Sequence, residues 1–105
     1  MIAATSLALA VGLVTTPIEI SGVGHQRSVP CEGRDVVVDG VDHVLTFTGN
    51  CASLTLAGSG NKVVIDLKPG ASIDVSGTNQ SVRWRSAKPP KVSVAGVDNT
   101  VSKAP

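Results

Sequence analysis

Five glycines, Gly22, Gly40, Gly58, Gly77 and Gly96, recur at separations of 18, 18, 19 and 19 residues, each in the same surroundings. An internal repeat of this kind constrains the fold more than any other property of the chain. Four residues before each glycine stand Ile18, Val36, Leu54, Ile73 and Val92, and two before it Ile20, Val38, Leu56, Val75 and Val94. Five after it come Arg27, Leu45, Val63, Val82 and Val101, and seven after it Val29, Phe47, Ile65, Trp84 and Lys103. Of these 20 slots 18 are apolar, where a chain that is 42% hydrophobic would fill about eight at random. Apolar residues at every second position mark strands with one buried face and exclude helix.

Three residues after each glycine come His25, His43, Asn61, Gln80 and Asn99, all able to hydrogen-bond through their side chains. Glycine followed by such residues suits a tight turn, because Gly accepts positive φ and Asn tolerates it. A second turn in each unit is marked by Pro30 and Cys31, Asn50 and Cys51, Pro69 and Gly70, or Pro89 and Pro90. Two all-β arrangements satisfy this order. One is a short parallel β-solenoid of about five 18–19-residue coils, with equivalent residues stacked about 4.8 Å apart. The other is an antiparallel β-meander or sandwich in which every unit is a hairpin. Hairpins have no need for identical residue types at matched positions, whereas stacked coils do, so the solenoid is the expected fold. It places the His/Asn/Gln column as a ladder down one edge.

Stacking also brings Cys31 and Cys51 together, since they lie in the second turns of consecutive units. Their disulfide would clamp the first coil to the second and stabilise the fold by about 3 kcal/mol in the chain-entropy view. No metal site is expected, because two thiols without a CxxC pair or a nearby His cluster do not complete a tetrahedral shell. Arg27 and Lys103 interrupt the apolar pattern in the outermost units, where a charge blocks further edge pairing.

The opening "MIAATSLALAVGLV" is apolar and uncharged, and too short to span a bilayer at about 20 residues. Residues 1–16 read as a signal peptide or apolar leader, followed by a single repeat-built β domain over 17–105. An exported domain this small needs a staple, and an even pair of cysteines supplies it. The expected location is therefore extracytoplasmic, secreted or at the cell envelope. Nine basic against eight acidic residues create no global field toward nucleic acid.

Three groups of residues carry chemistry worth weighing. Asp39, Asp42 and His43 stand together in "VDGVDH" and have the elements of an acid/base or cation site, but His43 fills the same turn slot as Asn61, and the aspartates read as solvated turn residues. The outward acids Asp35, Asp39, Asp66 and Asp74 offer no pair at glycosidase separation, and short turns build no cleft. In "RWRSAKPPK", Arg83, Arg85, Lys88 and Lys91 surround Trp84. Alternation aims the indole at the core and leaves the cations outside as a basic stripe suited to acidic glycans or lipid headgroups. No phosphate-cradling or calcium-binding glycine motif is present, and no cofactor is expected.

With its paired cysteines and repeated V-x-V-x-G-x-x-N-x-V units, the stretch from Cys31 to Val101 resembles a mycobacterial-type family of small exported actinobacterial domains known only as a domain of unknown function. The resemblance covers about two thirds of the chain. It implies an exported β-repeat fold and carries no catalytic residues onto this sequence. The expected function is a non-enzymatic structural or binding module of the cell envelope. A glycan- or anionic-surface-binding module through the 83–91 stripe is the alternative, and a small carbohydrate-active enzyme the third reading. Expected partners are an envelope glycan, another envelope protein, or a second copy pairing edge to edge.

Overall fold

The alternation dictates strands, and the repeat dictates how they meet. In the computed structural model, which describes residues 16–104, eight strands follow one another: β1 (Ile18–Ile20), β2 (Gln26–Pro30), β3 (Asp35–Val38), β4 (Val44–Leu56), β5 (Lys62–Val75), β6 (Ser81–Arg85), β7 (Lys91–Val94) and β8 (Thr100–Lys103). The expected leader lies outside the described residues except for Thr16. All the strand pairings are parallel, which rules out the meander and makes the chain a β-solenoid of about five turns.

Register follows the glycine spacing. Val36 pairs with Leu54 and Leu54 with Ile73, while Leu45 pairs with Val63 and Val63 with Val82. One layer contains β1, β3, the second halves of β4 and β5, and β7; the other contains β2, the first halves of β4 and β5, β6 and β8. The inward residues of both layers merge into one core, with Phe47, Leu45, Leu54, Leu56, Ile65 and Ile73 fully buried. Trp84 packs on this core and is half-buried, as its inward slot requires.

The glycine column explains itself geometrically. Each of these glycines has φ between 106° and 124°, and the carbonyls of the first four accept a hydrogen bond from the next coil, as Val41 N–H does to Gly22 O and Ser59 N–H to Gly40 O, both 3.0 Å. A Cβ on Gly40, Gly58, Gly77 or Gly96 would lie 1.9 to 2.0 Å from the carbonyl oxygen of the preceding glycine. No side chain fits in that file.

Sequence reasoning placed the turn's left-handed residue at the ladder position, and the structure corrects this. Within the glycine turns the residues at φ 55° to 69° stand two after each glycine: Gly24, Asp42, Gly60, Asn79 and Asp98. All three residue types tolerate the left-handed region, so the signal was present in the sequence. The ladder residues are released to turn inward instead.

Candidate functional site

The polar column is an internal hydrogen-bonding spine rather than an edge. His43, Asn61 and Gln80 are buried, which costs free energy unless every polar atom finds a partner. The geometry answers this with one repeated scheme. An acceptor on the side chain takes the backbone N–H of the ladder residue one coil earlier: His25 N–H to His43 Nδ1 at 3.1 Å, His43 N–H to Asn61 Oδ1 at 3.0 Å, Gln80 N–H to Asn99 Oδ1 at 3.0 Å. A donor on the same side chain reaches the carbonyl four residues earlier: Asn61 Nδ2 to Ala57 O at 3.2 Å, Asn99 Nδ2 to Ala95 O at 2.7 Å, and Gln80 Nε2 to Ser76 O. Gln80 is one carbon longer, so its Oε1 accepts from Asn61 Nδ2 at 2.6 Å instead of from the backbone.

The same scheme fixes the chemistry of His43. Its Nδ1 accepts from His25 N–H, so Nε2 carries the proton and donates to Asp39 O at 3.0 Å. Its ring stacks on that of His25, centroids 5.1 Å apart. Both nitrogens are thereby committed to main chain, and the contact to Asp39 is with its carbonyl, not its carboxylate. The "VDGVDH" group is a joint of the spine.

Cys31 and Cys51 are joined, with Cα atoms 5.1 Å apart and both side chains buried. Cys31 N–H donates to Thr48 O at 2.7 Å, which seats the second turn of the first coil directly on that of the second. Among the described residues no group of three or more His, Cys, Asp or Glu is placed to hold a metal ion.

What remains for recognition is the two outer faces, and their charges differ. Outward along β1, β3 and the second halves of β4 and β5 stand Glu19, Asp35 and Asp74, with Asp39 just beyond β3. Asp35 accepts from Ser53 Oγ at 2.7 Å. The fourth outward acid, Asp66, lies in the other layer, where its register partner Arg85 approaches to 3.9 Å.

The four cations of the 83–91 stretch part company. Arg83 and Arg85 project from β6, Lys88 sits in the following turn with its N–H donated to Ser86 Oγ at 3.3 Å, and Lys91 begins β7 in the opposite layer. Arg83 instead shares a groove with Lys62, which sequence reasoning missed because the two are 21 residues apart. Register makes them neighbours: Lys62 pairs with Ser81, and Val64 with Arg83. Together with Val44, Thr46, Val64 and Ser81 they line a shallow groove of about 440 Å³, floored by Leu45 and Val63.

No curated protein and no solved structure gives a significant match to this chain. A family model described as "Protein of unknown function (DUF3060)" does match, over residues 38–96. That span runs from the end of β3 to the fifth glycine and so holds the middle coils, the buried core of the ladder and the groove; on this match, over more than half its length, the chain belongs to the DUF3060 family.

Proposed function

We propose that this protein is a non-catalytic module of the extracytoplasmic space, exported and held at or near the cell envelope, where its rigid outer faces bind or space other envelope components. The observation that carries the reading is the fate of the polar side chains. Those inside are consumed by the spine, with no buried side-chain nitrogen or oxygen lacking a partner among the described residues, and the outward carboxylates are spread over two faces. A hydrolytic site needs a proton donor and a base or nucleophile converging on one bond. Here His43 is engaged at both nitrogens, Asp66 lies beside Arg85, and Asp35 is bonded to Ser53. The disulfide supports an oxidising compartment, and the apolar opening of the sequence supports export.

Two measurements test this. Alkylation of intact and lysed cells should find Cys31 and Cys51 fully oxidised, with the mature chain in the envelope or culture fluid; reduced thiols on a cytoplasmic chain would defeat the location. Incubation of the purified protein with envelope polysaccharide should give no new reducing ends. Turnover that disappears in Asp35→Asn, Asp66→Asn or Asp74→Asn would replace this reading with an enzyme.

A further inference from the structure

The groove on the β4–β5–β6 face matches one class of ligand better than any other. We infer that it binds an anionic polysaccharide lying across the strands, with Lys62 and Arg83 taking the acidic groups and Thr46 and Ser81 the hydroxyls; the inference rests on the non-catalytic binding module proposed above.

Charge distinguishes this face. Of the three cations on this face, Arg85 is neighboured by Asp66 at 3.9 Å, whereas Lys62 and Arg83 form no ion pair among the described residues. The two stand one coil and two residues apart, about 8 Å by a strand spacing near 4.8 Å and a two-residue step near 6.6 Å. That is the separation of their Cα atoms, and both side chains are long and exposed, so their cationic heads can meet acidic groups on successive or alternate units of a linear sugar chain. Arg83 supplies a planar fork for a carboxylate or phosphate, and Lys62 a point charge.

The remaining lining residues favour a carbohydrate over other polyanions. Val44 and Val64 offer apolar surface between the cations and the hydroxyls of Thr46 and Ser81, which suits a ligand bearing C–H faces, hydroxyls and charges together. Nucleic acid would call for aromatic stacking platforms, but Trp84 is turned toward the core. A lipid surface would call for a projecting basic or apolar edge, and this site is concave. A groove of about 440 Å³ is within the range of ligand sites. The opposite face sets Glu19, Asp35, Asp39 and Asp74 against Lys91 on β7, so it is the less favourable side for the same polymer.

The test uses the mature disulfide-bonded protein with immobilised polygalacturonate as probe, neutral dextran as the uncharged control and phosphatidylglycerol vesicles as the membrane arm. Wild type is expected to be retained saturably by polygalacturonate and not by dextran. Lys62→Gln/Arg83→Gln should weaken retention roughly tenfold or more, and Arg83→Lys by less, since it keeps charge and loses the fork. Lys88→Gln/Lys91→Gln, outside the groove, should stay within about twofold of wild type. All four side chains point outward, so the fold and disulfide should survive, and circular dichroism checks that. Unchanged binding by Lys62→Gln/Arg83→Gln, equal loss in Lys88→Gln/Lys91→Gln, or no retention at all would overturn the site. Stronger binding to vesicles than to polygalacturonate would replace the polysaccharide with a membrane. None of these outcomes touches the non-catalytic reading, which fails only on turnover or on cytoplasmic location.

Discussion

Two residues of the repeat carry opposite kinds of demand, and each can be tested singly. At Gly58 the space is already filled by the Gly40 carbonyl, 1.9 Å from where a Cβ would lie, and φ is +116°. Gly58→Ala must therefore push two coils apart as well as strain its own backbone, and a loss of about 4 kcal/mol in urea unfolding is expected. Gly70, at φ +82° with nothing near its missing Cβ, should cost only the conformational term, about 1 kcal/mol, on the same change. Equal losses at the two positions would show that backbone strain alone, not the close carbonyl, keeps the file free of side chains. Asn61 is the counterpart inside the spine: it accepts from His43 N–H and donates to Ala57 O, Gly40 O and Gln80 Oε1. Asn61→Leu keeps the branched heavy-atom skeleton but strands those groups and adds bulk, so it should destabilise by about 3 kcal/mol. Unfolding at unchanged denaturant midpoint would refute the spine as a stabilising device.

Single coils are the next unit, and here the sequence spoke more clearly in some places than others. The inward slots and the glycine file were legible because parallel stacking asks each coil for the same residue type at the same height. The disulfide was legible for the same reason. Burial of the ladder was not, because a polar residue next to a glycine reads as a solvated turn until its hydrogen bonds are seen. The groove was missed on a different ground: "RWRSAKPPK" draws the eye along the strand, while neighbours on a solenoid face come from adjacent coils, as Lys62 and Arg83 do. The first coil shows how little holds an end unit. Ile18 and Val29 are only half-buried and Arg27 is exposed, so the Cys31–Cys51 bond carries much of its attachment. Cys31→Ser/Cys51→Ser should lose about 3 kcal/mol, with amide exchange rising first in residues 18–30; uniform exchange over all coils would contradict a locally acting clamp.

Across the whole molecule the ends are the vulnerable places. The fifth coil leaves Val92 and Val94 46% exposed, although both occupy inward slots, and β7 and β8 each pair on one side only. Such an edge invites another chain. Arg27 at one end and Lys103 at the other occupy slots that stacking of a second copy would bury, and burying unpaired charge is costly. Arg27→Val/Lys103→Val should therefore associate end to end in a concentration-dependent way by sedimentation, where wild type stays small; a monomeric double variant would mean that something other than these charges guards the ends. The recurring bond pattern has one more consequence. Excising Gly58 to Ser76 would set Gly77 where Gly58 stood and lay Val94 over Leu56, in the place Val75 had held. Length in this architecture is thus quantised: it can grow or shrink by whole rungs while each surviving rung keeps a familiar neighbour, much as a stack of cups is indifferent to its height.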